Sequence, residues 1–222
     1  MTQPVVLFDL DGTLLDTIAD LRDSLNRILT KNGLFPHTTD EVKQYIGNGI
    51  SKLVARAIPN GEQHPQFDRI VLQMREDYAL HCNDQTSPYP QIHSMLSELR
   101  QQNYRIGVVS NKPDAQVKSL CATFFGDFIQ VAVGQSESIP IKPAPDCVFA
   151  ALQALGGSTD NCVYIGDSDV DIYTAQNARI SCISVSWGFR SRDQLIASDA
   201  TQIADSPSQI PALLKNTLHF FE

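Results

Sequence analysis

Four consecutive apolar residues near the start of the chain, Val5–Phe8, are followed at once by the sequence Asp-Leu-Asp-Gly-Thr at positions 9–13. An unbroken apolar run of this length is typical of a strand buried on both faces of a parallel sheet. The strand ends in two carboxylates, Asp9 and Asp11, and residues two apart in an extended segment point the same way. We expect the two to repel each other, and Mg²⁺, which prefers oxygen ligands, would relieve that repulsion. A plain turn is the alternative, since Asp and Gly commonly end strands.

From residue 88 onward the sequence alternates between short apolar runs and segments with helical periodicity. Strands are predicted at 105–110, 128–133, 162–166, 180–186 and near 202–204. Helices are predicted at 92–102, 113–125, 145–155, from about 171 to 178, and at 208–218. This alternation is typical of an α/β fold with a doubly wound parallel sheet and right-handed crossovers.

Residues 16–87 show a different pattern, with helical periodicity and no run that predicts a strand. The second of three helical segments, at about 40–58, is interrupted by Gly47-Asn48-Gly49, and Ser87-Pro88-Tyr89-Pro90 ends the block. We therefore predict an α/β core made of residues 1–15 and 88–222, split by an all-helical inserted domain of residues 16–87.

Composition limits the classes of function. The formal net charge is −8 and no Lys/Arg-rich run is present, which argues against nucleic-acid binding but allows a small anionic substrate in a locally positive pocket. The five cysteines are widely spaced, so neither a zinc site nor a redox pair is predicted. No apolar stretch is long enough to span a bilayer and no signal-peptide pattern is present, so we expect a cytoplasmic protein without membrane contact, as a monomer or a homodimer.

Polar residues follow each predicted strand of the core at the edge where parallel sheets place their sites. Asp9 and Asp167 could share one Mg²⁺ ion, and the hydroxyl of Ser110 could bind a phosphate oxygen together with N–H groups of a helix that opens directly after it. Lys142 supplies a compact positive charge for a phosphoryl group. These features predict Asp9 as a nucleophile that forms an acyl phosphate and Asp11 as the general acid and base. Taken singly, Ser110 also suits a helix cap, Lys142 a surface position and Asp167 a turn.

Four sequence segments together resemble the motifs of the haloacid dehalogenase superfamily. They are Asp9-Leu10-Asp11-Gly12-Thr13, Ser110-Asn111-Lys112, Lys142-Pro143 and Gly166-Asp167-Ser168-Asp169-Val170-Asp171. The resemblance implies a Rossmann-like core with a type-1 helical cap. By resemblance, Asp9, Asp167 and the backbone carbonyl of Asp11 ligate magnesium, Lys142 acts in catalysis, and Ser110, Asn111 and Lys142 hold the phosphoryl group. Asp171 and Thr13 support the site.

Finer features suggest a substrate. Dehalogenases of the superfamily lack an acid at the place of Asp11, so its presence favours phosphoryl transfer. The Asp16-Thr17 pair and the Gly47-Asn48-Gly49 loop look like those of phosphoglycolate phosphatases, which implies a small anionic phosphomonoester as the substrate. Gly47, Asn48, Gly49 and Arg190 are the candidate contacts to its carboxylate, although the loop is equally well explained as a break between helices and Arg190 as a surface residue. A sugar-phosphate phosphatase or mutase, a pyrophosphatase and a non-catalytic phosphate-binding module are the alternatives.

Overall fold

The structure, a computed structural model, describes residues 3–218 of the 222-residue chain. The first two and last four residues of the predicted core lie outside the described residues. The chain divides into two compact units. One comprises the chain up to Leu15 and from Pro88 onward, and the other comprises Asp16–Ser87. None of the helices in residues 3–218 is long and apolar enough to cross a membrane.

The strands of the described residues are given in chain order. They are β1 (Val5–Phe8), β2 (Leu15–Asp16), β3 (Ser87–Pro88), β4 (Arg105–Pro113), β5 (Val131–Gln135), β6 (Cys162–Gly166), β7 (Ser181–Val185) and β8 (Ile203–Ala204). Six of them form a fully parallel sheet in the order β5-β4-β1-β6-β7-β8. The short strands β2 and β3 pair separately, where the chain passes between the units. The predicted α/β fold with a parallel sheet is confirmed.

The helices are also given in chain order. They are α1 (Ile18–Lys31), α2 (Thr39–Tyr45), α3 (Gly49–Ala57), α4 (Phe67–His81), α5 (Ile92–Gln101), α6 (Asp114–Phe125), α7 (Asp146–Leu155), α8 (Asp169–Ala178), α9 (Arg192–Ala197) and α10 (Ile210–Leu218). Helices α5, α6 and α10 contribute to one apolar cluster, and α7 and α8 to the other. Val6 and Phe8 of β1 join the first cluster, whereas Val5 and Leu7 join the second. The strand is apolar throughout because both of its faces are buried, and each such side chain stabilises the fold by about 1.5–3 kcal/mol.

The structure differs from the prediction at the start of β5, and it contains the short helix α9 and the two-residue strands β2 and β3, which were not predicted. The predicted strand at 128–133 begins only at Val131, because Gly126–Phe128 forms a 3-10 helix. Its apolar residues Phe128 and Ile129 pack against the core without joining the sheet. Helix α9 was not predicted because it has only six residues, although a capping box between Ser191 and Gln194 marks its start.

The helical unit contains α1 to α4, and its ends are tied together by one buried carboxylate. Asp20 on α1 accepts hydrogen bonds from the backbone N–H groups of Gln85 and Thr86, each at 2.9 Å, and from the Thr86 hydroxyl at 2.7 Å. These bonds join the first turn of the insert to its last residues. The segment between α2 and α3 is non-helical at residues 46–48, as the glycines predict.

Candidate active site

Strand β1 lies between β4 and β6, so its carboxyl end is the point where the strand order changes direction. Ligand sites of parallel sheets form at such points. Asp9 follows β1 directly, and its Oδ1 atom accepts a hydrogen bond from the N–H group of Leu10 at 2.7 Å. The Nζ atom of Lys142 lies 2.9 Å from the same oxygen.

Lys142 is the buried cation of this site, with 2% of its side chain exposed. Its ammonium group also lies 2.7 Å from Asp171 Oδ1 and 3.0 Å from the Tyr164 hydroxyl oxygen. Burial favours the neutral amine, but the carboxylates of Asp171 and Asp9 outweigh it and hold the pKa of Lys142 well above its usual value. The charged form is therefore stable where a phosphoryl group would need a positive partner.

Three buried carboxylates, of Asp9, Asp167 and Asp171, lie close together here, and Lys142 contacts two of them, Asp9 and Asp171. Each offers an oxygen, and these oxygens all lie within 4.8 Å of one another. Burial raises the pKa of Asp9 to about 7, with Lys142 opposing the shift and Asp171 adding to it. Burial and the charges of Asp171 and Asp9 raise the pKa of Asp167 well above its usual value. A single ammonium group leaves this cluster rich in negative charge, so its donor set fits a divalent cation.

Asp171 is committed to protein contacts within this cluster. Its Oδ2 atom accepts hydrogen bonds from the hydroxyl of Ser168 at 2.6 Å and from the N–H group of Ser168 at 3.1 Å. Its Oδ1 atom is bound by Lys142 and by the Tyr164 hydroxyl. Asp9 and Asp167 are therefore the carboxylates best placed to hold a cation, and Asp171 orients Lys142.

The segment after β7 holds the Asp167 side chain. The N–H group of Phe189 donates to Asp167 Oδ2 at 2.7 Å, and Thr13 Oγ1 donates to Oδ1 at 3.3 Å. The indole N–H of Trp187 donates to the carbonyl oxygen of Thr13 at 3.0 Å. A Cβ atom on Gly188 would lie 2.4 Å from Asp167 Cβ, so only glycine allows this close approach. The segment thus links the loops after β1 and β6.

Asp11 lies apart from this carboxylate cluster. The chain bends at Leu10, so the alternation of an extended strand does not apply, and Asp9 and Asp11 have different ammonium partners. The partner of Asp11 is Lys112, whose Nζ atom lies 2.8 Å from Asp11 Oδ1. The expected mutual repulsion of the two carboxylates is therefore reduced by separate ion pairs as well as by any bound cation.

Ser110 and Asn111 lie in an irregular part of β4. The prediction that a helix opens directly after Ser110 is wrong, because β4 continues to Pro113 and α6 begins at Asp114. The Asn111 side chain instead pairs with the backbone of Lys142: its amide donates to the Lys142 carbonyl at 3.0 Å and its Oδ1 accepts from the Lys142 N–H at 2.7 Å. This contact positions Lys142. Ser110, the residue before Asn111, is also buried.

The remaining predicted residues are in two places. Gly47, Asn48 and Gly49 belong to the helical unit, where Arg56 Nη2 donates to Asn48 Oδ1 at 2.6 Å. Arg190 belongs to the α/β unit, and its Nε atom lies 3.3 Å from Oδ1 of Asp169, which stands between Asp167 and Asp171 in the sequence.

Sequence reasoning gave no role to Lys112, Tyr164, Trp187 or Gly188. Lys112 stands inside a segment that was singled out, yet nothing local shows that it is buried. Tyr164 belongs to a run of apolar residues in a buried strand, and only the tertiary structure shows that its hydroxyl contacts Lys142 and Asp171. The Trp-Gly pair directly after a strand was the one available signal for the segment at 187–190.

Comparisons with known proteins identify relatives of this chain. The family model described as haloacid dehalogenase-like hydrolase matches residues 6–185. A Psychrobacter arcticus protein named phosphoglycolate phosphatase is 30% identical over 220 residues, which cover 95% of each chain. A plasmid phosphoglycolate phosphatase of Cupriavidus necator is 32% identical over 212 residues, 94% of this chain and 92% of the relative. The crystal structure of a candidate phosphoglycolate phosphatase from Lactobacillus delbrueckii subsp. bulgaricus has a TM-score of 0.92 at 34% identity, covering 96% of this chain and 99% of that one.

Proposed function

This chain belongs to the haloacid dehalogenase-like hydrolase family, and we propose that it is a magnesium-dependent phosphatase that hydrolyses 2-phosphoglycolate through an aspartyl-phosphate intermediate. One observation carries the proposal. The buried ammonium group of Lys142 lies against Asp9 within a cluster of carboxylates at the carboxyl end of the central strand. This combination offers a nucleophile, a positive partner for phosphate and a place for a divalent cation.

Asp9 is assigned as the nucleophile. Within residues 3–218, the hydrogen bonds that reach its carboxylate, from Leu10 and Lys142, go to Oδ1, so Oδ2 is the oxygen assigned to the attack on phosphorus. As the Asp9–phosphorus bond forms, the bond from phosphorus to the leaving oxygen breaks, and that oxygen takes a proton from the Asp11 carboxyl group. Water then adds to phosphorus and gives a proton to the Asp11 carboxylate, and the Asp9 carboxylate leaves.

Mg²⁺ is the proposed cofactor, and Asp9, Asp167 and, by family resemblance, the backbone carbonyl of Asp11 would hold it. When bound, it would neutralise negative charge on the phosphoryl group and on the carboxylates. Thr13 and Phe189 bind the two oxygens of Asp167 and so orient that ligand. Lys142 binds the phosphoryl oxygens, and Ser110 and Asn111 are assigned to the same subsite, Asn111 through its hold on Lys142.

The substrate is proposed from the relatives named phosphoglycolate phosphatase and from physical reasoning on its size. A two-carbon substrate offers little to grip besides its carboxylate, so recognition depends on charge-assisted hydrogen bonds. Arg190 and the Gly47–Gly49 loop are the candidate partners, and we propose that the helical unit of residues 16–87 takes part in substrate selection. Each hydrogen bond to a charged group contributes on the order of 1.5–3 kcal/mol, or roughly tenfold to hundredfold in discrimination.

The test is kcat/KM over a panel of 2-phosphoglycolate, ethyl phosphate, pyrophosphate, a nucleoside monophosphate and a hexose phosphate. We expect 2-phosphoglycolate to exceed ethyl phosphate by roughly tenfold to hundredfold. Equal values would exclude carboxylate recognition. A tenfold preference for a hexose phosphate or pyrophosphate would overturn the substrate but keep the chemistry. No phosphate release from any member would leave only a non-catalytic phosphate-binding module.

A further inference from the structure

Lys112 is an almost fully buried lysine whose charged end meets one carboxylate of the site. Its side chain is 2% exposed, and its Nζ atom lies 2.8 Å from Asp11 Oδ1, whereas the Asp11 side chain is 16% exposed. Lysine is rarely buried to this extent, since removing an ammonium group from water is costly unless a partner compensates. The partner here is the group assigned to proton transfer, which makes the pair more than a surface ion pair.

We propose that Lys112 is a positioning residue that holds the Asp11 carboxyl group where it can protonate the leaving oxygen, an inference that rests on the proposed function. Lys112 is the more deeply buried partner of the pair, and the Asp11 side chain keeps the solvent exposure that contact with substrate and water requires. Asp11 follows the bend at Leu10 and precedes Gly12, whose φ of +84° belongs to a turn. Hydrogen bonds such as that from the Gly12 N–H group to the Leu15 carbonyl oxygen, at 2.8 Å, hold the loop backbone, whereas the Lys112 ammonium group anchors the Asp11 side chain.

The bulge in β4 explains how Lys112 reaches Asp11. Val109 pairs with Val133 and Pro113 pairs with Gln135, so residues 110–112 of β4 face the single residue Gly134 of β5. The extra residues break the strict alternation of side chains along the strand. A Cβ atom on Gly134 would lie 2.7 Å from the Lys112 carbonyl oxygen, so glycine lets the bulge pack closely against β5. Bulges commonly redirect a side chain in this way next to active sites.

Electrostatics gives the reason for a second lysine. Lys142 is already bound to Asp9 and Asp171, and the charge of Asp11 adds to the repulsion on Asp9. Without a cation of its own, the Asp11 carboxylate would be pushed away from the cluster by like charge. The ion pair with Lys112 keeps the Asp11 carboxylate near the cluster without making it a member of the cluster.

The experiment compares two leaving groups in the full-length protein. Protonation by Asp11 is needed when an alkoxide leaves from an alkyl phosphate, but hardly when nitrophenolate leaves from p-nitrophenyl phosphate. The value of kcat/KM reports steps up to departure of the leaving group, so it excludes the later attack by water. We expect Lys112→Met to lower kcat/KM on the best alkyl phosphate of the panel by about 100-fold, the lower range for loss of a general acid, and on p-nitrophenyl phosphate by less than about tenfold.

Three further variants control this measurement. Lys112→Arg keeps the charge and should recover part of the loss on the alkyl phosphate. Lys118→Met removes a lysine of α6 that is 61% exposed and paired with Asp114, and should leave both substrates unchanged. Asp11→Asn combined with Lys112→Met removes both charges of the pair, which keeps the test open if Lys112→Met alone does not fold. Because Lys112 acts through Asp11, the double variant should match Asp11→Asn within about twofold.

Each result decides the proposal. An equal loss on both substrates, or a further tenfold loss when Lys112→Met is added to Asp11→Asn, would show that Lys112 acts on the phosphate or on the fold, and would overturn the inference. If Lys112→Met keeps the wild-type kcat/KM on both substrates, the inference is overturned as well. A wild-type protein that releases phosphate from neither substrate would overturn the proposed function first, and the inference with it.

Discussion

The Nζ atom of Lys142 lies 2.9 Å from Asp9 Oδ1 and 2.7 Å from Asp171 Oδ1, so one ammonium group joins the end of β1 to the start of α8. Two buried acids, Asp9 and Asp171, stabilise the positive charge of this group. The proposed nucleophile and the proposed phosphate-binding cation are therefore parts of one ion network, so a substitution of either residue has a predictable effect on turnover.

Replacing Asp9 by Asn should abolish turnover, because a carboxamide cannot form the acyl phosphate. We expect kcat to fall by a factor on the order of 10⁴ or more, while the circular dichroism spectrum stays that of the wild type. Asp11→Asn should lower kcat about 10²–10⁴-fold, because proton transfer to the leaving oxygen is lost. Substantial steady-state turnover by Asp9→Asn would show that water attacks phosphorus directly.

Removing divalent cations should abolish activity and lower stability together. Mg²⁺ at about 100 times its Kd should stabilise the folded protein by about 2.7 kcal/mol, because it binds the carboxylate cluster of the native state. The measurement is Tm in EDTA and with added Mg²⁺, beside phosphate release. Ca²⁺ should raise Tm without restoring activity, since its looser coordination misplaces the reacting groups. Asp167→Asn is the control, and an undiminished Mg²⁺-dependent rise in Tm would contradict the assignment of Asp167.

In the metal-free protein, the buried Asp9 carboxyl should make stability depend on pH. Its pKa is about 7 in the folded state against an ordinary value of 3.8, so the native state holds a proton that the unfolded state has lost. Stability from this group is complete below about pH 4 and is lost as the pH rises through 7. We expect Asp9→Asn in EDTA to gain in Tm relative to wild type as the pH rises from 4 to 8. If the difference in Tm between Asp9→Asn and wild type does not change over this range, burial does not raise the pKa of Asp9.

Gly188→Ala should disturb the Asp167 loop. The added methyl group would lie 2.4 Å from both Asp167 Cβ and the Gly12 carbonyl oxygen, so the loops after β6 and β1 must separate. Overpacking of this kind costs about 1–3 kcal/mol, and Mg²⁺ binding followed by calorimetry should weaken as well. Gly33→Ala is the contrasting variant, since nothing lies within 4 Å of the new methyl group and only its φ of +72° is strained. It should lose stability and keep Mg²⁺ affinity.

Arg56→Ala tests the proposed role of the loop at 47–49. Arg56 donates to Asn48 Oδ1 at 2.6 Å and to the Tyr45 carbonyl oxygen at 2.7 Å, and so braces this loop within the helical unit. We expect KM for 2-phosphoglycolate to rise roughly 2- to 10-fold, the scale of one modest hydrogen bond, with little change in kcat on p-nitrophenyl phosphate. Lys52→Ala, which removes an exposed lysine of the same helix paired with Glu62, is the matched control. If both variants behave alike, the loop has no part in substrate binding.

The sequence by itself determined the α/β class, the parallel sheet and the strand ends at which polar residues collect. These follow from local patterns: a short apolar run such as Val5–Phe8 is typical of a strand buried on both faces of a sheet, and Asp9 or Asp167 directly after such a strand lies at its carboxyl edge. The break between α2 and α3 follows from its glycines in the same way. The local pattern did not give the correct element boundary where apolar residues, such as Phe128, pack against the core without pairing in the sheet.

Only the tertiary structure decided which charged groups meet. Lys112 and Asp11 are 101 positions apart, and Thr13 and Asp167 are 154 apart, so no local periodicity relates them. The bulge opposite Gly134 replaced an expected helix start, because strand pairing and a close backbone approach act between separate segments. Residue types indicate which chemistry a chain can perform, whereas the ion-pair partner of each charged side chain is determined by distances that exist only after folding.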